Sequence, residues 1–165
     1  MFFKEEQKII ESKGGKVALL AMVVASLMPY LILSFNFNKT VGKPEVWWIM
    51  GGVTLFMVFL MILISKSKLL VRLDKTGLRY SYRPLMREKQ ILWTDVESYS
   101  VVEYNPMKEY GGHGIKKGLK NKTMSFTVAG KSALKLSLKS GKQLLLGTQK
   151  AYDLKAALDK LRDFG

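Results

Sequence analysis

The amino-acid sequence lacks two residue types on which many metal and catalytic sites depend. It contains no cysteine, which excludes a disulfide framework and thiolate chemistry. It contains a single histidine, His113, and one histidine with no cysteine or second histidine nearby is a poor metal site. We therefore expect no metal and no cofactor.

The sequence also lacks a set of residues that indicates catalysis. Asp95, Glu97 and Glu103 are the carboxylates that could form a pair. Strand alternation places Glu97 and Glu103 on one face about 20 Å apart, so we interpret them as surface charges. The sequence predicts no catalytic residues and a protein that is not an enzyme.

Charged residues are absent from two long apolar stretches, 17–35 and 46–65. The first has 19 residues, which as a helix measure about 28 Å, close to the hydrocarbon thickness of a bilayer. It is too long for a usual signal peptide and no A-x-A-like site follows it, and two such runs are unusual for core helices. We predict two membrane spans, and the absence of charge argues against an ion pathway within them. Gly51 and Gly52 predict a face for close helix packing.

The segment 36–45 between the two spans contains Gly42 and Pro44, which favour a turn. The spans should therefore form an antiparallel hairpin with both chain ends on one side. Lys and Arg are more frequent beside the hairpin ends than in the turn, so both termini are predicted to be cytoplasmic. The predicted organisation is a cytoplasmic N-terminal segment 1–16, a transmembrane hairpin 17–65 with an external loop 36–45, and a cytoplasmic domain 66–165.

Positive charge is what the sequence has in excess. The formal net charge is +14, and residues 66–165 hold 21 Lys or Arg against nine Asp or Glu. These charges are scattered over turns and strand faces and do not form one stripe with aromatic residues, so we do not expect nucleic acid as a partner. The lipid bilayer, its anionic headgroups and other membrane proteins are the expected partners.

Beyond residue 66 the apolar pattern predicts β-structure. Leu78, Tyr80 and Tyr82 alternate with polar residues, and the turns 74–77 and 140–142 predict tight β-hairpins. About seven short antiparallel strands are predicted, at 69–73, 78–82, 90–93, 98–104, 123–128, 133–139 and 143–146. An amphipathic helix follows at 150–162, with Thr148 as its expected N-cap.

This order of elements resembles the bacterial pleckstrin-homology-like (PH-like) domains. The resemblance covers residues 66–163 and rests on VRLDKTGLRYSYRPL, ILWTDVESYSVVEYNPMKEYGGHGI and LKLSLKSGKQLLLGTQKAYDLKAAL. A landmark of that family is a strand-borne Trp followed by an acidic and a hydrophobic residue, here Trp93, Asp95 and Val96. The resemblance implies a two-span helical hairpin followed by an α+β PH-like domain, a bent sandwich or barrel plugged by its C-terminal helix. It also implies a bacterial inner-membrane location.

Family members that bind phosphoinositides carry basic residues across the first two strands, joined by a long loop. Arg72, Lys75, Arg79 and Arg83 stand in that region, but the turn between them is only 74–77. The resemblance therefore does not imply a specific inositol-phosphate site.

The stretch 104–122 is long for a connection and rich in glycine and then lysine. It is interpreted as an anionic ligand clamp, as a membrane-facing arm, or as a solvated surface loop. The residues expected to contact an anionic surface or ligand are Lys66, Lys68, Arg72, Lys116, Lys117, Lys120 and Lys122.

The leading functional hypothesis is a membrane-anchored, non-enzymatic interaction module at the inner leaflet, which binds other proteins, anionic lipid, or both. One alternative is a lipid- or small-anionic-ligand-binding protein that uses the glycine-lysine loop. Another is an accessory subunit of a membrane complex, whose helices pack on other spans through Gly51 and Gly52.

Overall fold

The computed structural model describes residues 2–35, 44–118 and 123–163. Its helices are α1 (Lys13–Phe35), α2 (Pro44–Lys66), α3 (Pro106–Tyr110) and α4 (Ala151–Asp163). Its strands are β1 (Phe3–Lys8), β2 (Lys68–Asp74), β3 (Gly77–Arg83), β4 (Met86–Leu92), β5 (Val96–Glu103), β6 (Gly114–Lys117), β7 (Met124–Thr127), β8 (Ser132–Leu138) and β9 (Gln143–Thr148). Short 3₁₀ turns lie at Ile9–Glu11 and Trp93–Asp95.

Strand β1 precedes the two long helices and completes a sheet with strands that follow them. Sheet A has the order β1-β2-β3-β4, and β1 pairs antiparallel with β2 from Phe3 opposite Leu73 to Lys8 opposite Lys68. The two helices are therefore inserted in the connection between the first two strands of sheet A. The sequence-based division into 1–16 and 66–165 leaves this out, because residues 3–8 belong to the same sheet as residues 68–92.

Sheet B is mixed, which corrects the expectation of wholly antiparallel strands. Its order is β5-β8-β9-β7-β6, and β7 runs parallel to β9. The short turn 128–131 reverses the chain between β7 and β8, and β9 lies between these two strands, so it must run parallel to one of them. Gly147 permits this insertion, because a Cβ there would lie 3.2 Å from the Cα of Thr127.

The core lies between the two sheets and is closed by α4. Strand alternation turns apolar residues of both sheets inward, and the ring centroids of Tyr80 and Phe126 lie 5.2 Å apart across the core. The buried aliphatic side chains include Leu69, Leu73 and Leu78 from sheet A, Leu134, Leu136 and Leu146 from sheet B, and Leu154 and Leu158 from α4. Each contributes roughly 1.5–3 kcal/mol relative to an exposed position.

Helices α1 and α2 form an antiparallel pair outside this core. Positions shielded from solvent recur at helical spacing in both helices. They are the partly buried Leu19, Met22, Ser26 and Pro29 in α1, and the buried Met50 with the partly buried Thr54, Met57 and Met61 in α2. The hydroxyls of Tyr30 and Thr54 lie 2.8 Å apart between the helices. Only 6% of each apolar window is buried against the chain, so the pair is not part of the domain core. Both helices are long and apolar enough to cross a membrane.

All seven predicted strands are present, and α4 confirms the predicted C-terminal helix within one residue at each end. Strands β1 and β6 were not predicted. Thr148 contributes to the start of α4, since its Oγ1 accepts a hydrogen bond from the amide of Lys150 at 3.0 Å.

Candidate functional site

Sheet A joins the helical pair directly through two short connections. Helix α2 ends at Lys66 and β2 begins at Lys68, with Ser67 between them. The amide of Ile9 donates a hydrogen bond to the carbonyl of Ser67 at 3.1 Å, which links the two connections. We call the end of each sheet nearest α1 and α2 its helix end, and the opposite end its far end.

The connection from β1 to α1 is equally short. Ser12 caps α1, because its Oγ accepts a hydrogen bond from the amide of Gly15 at 2.9 Å and donates one to the carbonyl of Ile9 at 2.7 Å. A Cβ at Gly15 would lie 1.9 Å from that carbonyl oxygen. Both helices are thus held to sheet A by hydrogen-bonded connections that leave little freedom between sheet and helices.

The outer face of sheet A, turned away from the core, carries two rows of cations across its strands. The pairing register places Lys8, Lys68 and Arg83 side by side at the helix end. Four residues further along each strand, Lys4, Arg72 and Arg79 form a second row. Directly opposed residues on neighbouring strands lie about 5 Å apart, so each row is a compact line of positive charge.

Negative charge offsets this face only in part. Lys68 Nζ donates to Glu6 Oε1 at 2.9 Å, and this hydrogen bond lowers the pKa of Glu6, which stays ionised at neutral pH. The Nε atoms of Arg72 and Arg79 are buried and make no hydrogen bond to the part of the chain described.

The sequence-predicted lysines of the glycine-lysine stretch lie elsewhere. Lys116 and Lys117 are exposed on β6. Lys117 pairs with Met124 on β7, and Met124 pairs with Leu144 on β9, close to the β8–β9 turn. They therefore lie toward the far end of sheet B. Lys120 and Lys122 lie outside the described residues.

Two hydrogen bonds connect the far end of sheet B with the far end of sheet A. The amide of Lys139, in the β8–β9 turn, donates to the carbonyl of Asp95 at 3.0 Å, and the amide of Trp93 donates to the carbonyl of Thr76 at 3.3 Å. Thr76 lies in the β2–β3 turn, one strand length from Lys68. The structure thus brings together Lys66, Lys68 and Arg72 but separates them from Lys116 and Lys117.

The glycines of the same stretch close a helix instead of forming an open cradle. Gly111 adopts a left-handed φ of 67° after α3, and its amide donates to the carbonyl of Met107 at 3.2 Å. The amides of Gly112 and Gly114 donate to Pro106 O at 2.9 Å and Thr127 Oγ1 at 3.3 Å. These donors are already used within the chain, so they do not supply the free amides that a phosphate clamp needs.

The described residues contain no group of three or more His, Asp or Glu placed to hold a metal ion. Partial desolvation lowers the pKa of His113, so the ring is neutral at pH 7 and adds no cation to the loop. Glu97 and Glu103 lie near opposite ends of β5.

A buried polar cluster between β1 and β9 is the feature that the sequence analysis missed. Glu5 is 4% exposed, and its carboxylate accepts hydrogen bonds from Thr148 Oγ1 at 2.6 Å, the Gln149 amide at 2.8 Å and Gln7 Nε2 at 3.0 Å. The cluster adjoins a polar cleft of about 390 Å³, lined among others by Glu11, Ser12 and Lys131. Because residues of the β7–β8 turn line this cleft together with Glu11 and Ser12, the turn lies at the helix end of sheet B. The only signal in the sequence was the alternation of Glu5 and Gln7 with the charged residues Lys4, Glu6 and Lys8.

Gly51 and Gly52 do not mediate the contact between α1 and α2. A Cβ at either glycine would meet no atom within 4 Å. Both positions are therefore free of contacts with α1.

Comparison of the chain with protein-family models, curated proteins and solved structures found no match. Its function must therefore be argued from its own residues.

Proposed function

We propose that the chain is a membrane-anchored, non-enzymatic interaction module. Helices α1 and α2 span the bacterial inner membrane with both termini in the cytoplasm, and a PH-like domain is held at the inner leaflet. There it contacts anionic lipid headgroups and binds other membrane proteins. The observation that carries this proposal is the insertion of α1 and α2 between two paired strands, because it fixes one end of the domain at the point where both helices end.

The PH-like assignment is supported by the arrangement of elements. Sheet A is an antiparallel meander of four strands, sheet B packs against it, and the C-terminal helix α4 lies on the shared core. The helical pair then occupies the first strand connection of the domain. The β6–β7 hairpin lies between β5 and β8 in the sequence, whereas in sheet B it forms the edge beyond β9. Because β7 runs parallel to β9, the hairpin makes the sheet mixed.

Contact with anionic lipid is supported by the charge at the helix end of sheet A. Lys8 lies five residues before the start of α1, and Lys68 lies two residues after the end of α2. Arg83 is in register with Lys68 on the neighbouring strand. A basic residue near an anionic surface contributes about 1 kcal/mol at low salt. Lys8 pairs with Glu11 at 3.2 Å and Lys68 with Glu6 at 2.9 Å, so these two lysines contribute less than that. Lys116 and Lys117 face away from the bilayer in this arrangement, which favours the interpretation of that stretch as a solvated loop or a protein contact.

Binding of a short-chain phosphatidylglycerol to the full chain in a zwitterionic detergent tests the lipid part of the proposal. We expect binding that phosphatidylcholine does not reproduce and that rising salt weakens. The double substitution Lys8→Gln with Arg83→Gln should weaken it, since both cations lie in the row at the helix end. The matched control Lys116→Gln with Lys117→Gln removes the same charge at the far end and should leave binding unchanged. Equal loss in both variants would mean that net charge, and not the position of the row, governs the contact.

A second candidate function, an accessory subunit of a membrane complex, is favoured by the open surface at Gly51 and Gly52. Leucine at these positions should displace a partner that packs closely on α2 without affecting the contact between α1 and α2. Chemical cross-linking in the native membrane, compared between the wild type and Gly52→Leu, tests it. An unchanged cross-linking pattern contradicts the accessory-subunit role.

A further inference from the structure

The β3–β4 turn projects from the helix end of sheet A. Arg83, at the end of β3, pairs with Lys68, and Lys68 pairs with Lys8, so all three lie on the row next to the helices. Strand β3 runs toward the helices, and it carries Pro84 and Leu85 past this row before β4 turns back. Because β3 is the immediate neighbour of β2, and only Ser67 separates β2 from α2, the turn lies beside the last turn of α2.

Leu85 exposes a large apolar side chain at this point. It is 64% exposed, and apart from α1 and α2 the only described aliphatic side chains that are more than half exposed are Leu85 and Met107, at 71%. Met107 lies three residues after Tyr104 in the sequence. The amide of Tyr104 donates to the carbonyl of Lys131 at 2.8 Å, and Lys131 lines the cleft together with Glu11 and Ser12. Both side chains therefore lie on the side of the domain that carries the helices.

Cations outnumber the acidic residue Glu88 around Leu85. Arg83 and Arg87 flank it in the sequence and are exposed, and Lys8 and Lys68 lie beside Arg83 in the same row. An exposed apolar tip surrounded by long basic side chains is suited to the interface of an anionic leaflet, where the tip enters the boundary of the acyl chains and the cations stay among the headgroup phosphates.

We propose that the β3–β4 turn is a membrane-inserting element, with Leu85 as its anchor and Arg83 and Arg87 as its headgroup contacts. The bilayer interface is the occupant that the observations favour, because the turn lies on the same side as two helices able to cross a membrane. The inference rests on the proposed function in that it takes α1 and α2 as spans. Insertion of the turn gives the domain a third attachment point beside the helices and fixes the rotation of the domain about their axis.

Because the chain has no native cysteine, single cysteines with an environment-sensitive fluorophore report on chosen positions without background. The full chain is reconstituted in vesicles of phosphatidylcholine and phosphatidylglycerol that contain a quencher, on either the headgroup or the acyl chain. Three variants are compared: Leu85→Cys in the turn, Lys75→Cys in the β2–β3 turn at the far end, and Leu55→Cys, which is 72% exposed on α2. All three positions are on the surface, so the substitutions leave the core intact.

We expect the label at position 85 to emit at shorter wavelength than the label at position 75. It should be quenched more by headgroup quenchers than by those deep in the acyl chain. The label at position 55 should show the opposite preference, and the label at position 75 should not be quenched. Quenching at 55 with none at 85 overturns the insertion of the turn but leaves the membrane anchor intact. No quenching at 55 contradicts the anchor itself.

Discussion

Gln7 and Gly147, 140 residues apart in the sequence, are joined by a hydrogen bond of 2.8 Å from the side-chain Nε2 of the first to the carbonyl oxygen of the second. The next inward-facing residue of β1, Glu5, binds Thr148 and Gln149. The segment before the first long helix is thereby fixed to the end of β9 and the start of α4. It is a structural strand of the domain, although the two long helices separate it from the other strands in the sequence.

Replacement of Glu5 by Ala should destabilise the domain by about 2–3 kcal/mol, because the Thr148 hydroxyl and the Gln149 amide lose their acceptor and Gln7 Nε2 keeps only the carbonyl of Gly147. The free energy of unfolding of the full chain in detergent, measured by urea titration, checks this. Glu6→Ala is the matched control, since its carboxylate is partly exposed and makes a surface ion pair with Lys68. Such a pair contributes between 0 and about 1 kcal/mol. Equal destabilisation by the two substitutions would show that the buried cluster is energetically unimportant.

Strands β2, β3 and β8 could be predicted because each shows its inward face in its own sequence. Leu134 and Leu136, for example, alternate with Lys135 and Ser137 around a face that is buried whatever the partner strands are. Strand β1 shows no such face, since its inward residues are Phe3, Glu5 and Gln7. Glu5 and Gln7 can be buried only because residues 147–149 satisfy them, and no local pattern reports a partner so distant.

The site shows the same limit. Lys68 and Arg72 were predicted from their closeness in sequence to the second apolar segment, and that closeness persists in the fold. Lys116 and Lys117 were grouped with them by charge alone. Only the pairing of β6 with β7, and of β7 with β9, sets these two lysines toward the far end. The direction in which an inserted β-hairpin points depends on how all the strands of the sheet pair. The amino-acid composition of the hairpin does not indicate that pairing.

The inserted helices should be dispensable for folding of the domain. Lys8 and Lys68 are directly opposed on antiparallel strands, so a short Asn-Gly-type turn can replace residues 9–67 and join β1 to β2. We expect this chain to be soluble and folded, with dispersed amide resonances. The fragment 66–165, which lacks β1, should be much less stable because it leaves Leu73 and the donors of Thr148 and Gln149 uncovered. If the fragment 66–165 is as stable as the joined chain, β1 is not an essential strand.

Alkaline pH should unfold the domain through its buried tyrosines. Burial raises the pKa of Tyr82 from its ordinary value of 10.0 to about 12, and it also raises the pKa values of Tyr80 and Tyr104. A raised folded-state pKa means that this stability is fully present below pH 10 and is lost as the pH rises through about 12. For Tyr82 the loss is on the order of 2 kcal/mol.

Circular dichroism and tyrosinate absorbance, followed together during an alkaline titration, test this prediction. Ionisation and loss of β-structure should coincide, and Tyr82→Phe should move the transition to higher pH because it removes one buried group that must ionise. Complete tyrosine ionisation near pH 10 with the sheets intact would contradict the buried environment.

Gly14 and Gly15 should respond in opposite ways to the same substitution. Both lie in the first turn of α1, where alanine favours the helix by up to about 1 kcal/mol over glycine. A Cβ at Gly14 meets nothing within 4 Å, whereas a Cβ at Gly15 would lie 1.9 Å from the carbonyl oxygen of Ile9. Gly14→Ala should therefore be neutral or stabilising. Gly15→Ala should cost roughly 1–3 kcal/mol, because the connection to β1 must shift. Hydrogen exchange should locate the loss of protection in residues 3–15, and a Gly15→Ala variant as protected there as wild type would mean that α1 is not packed against this connection.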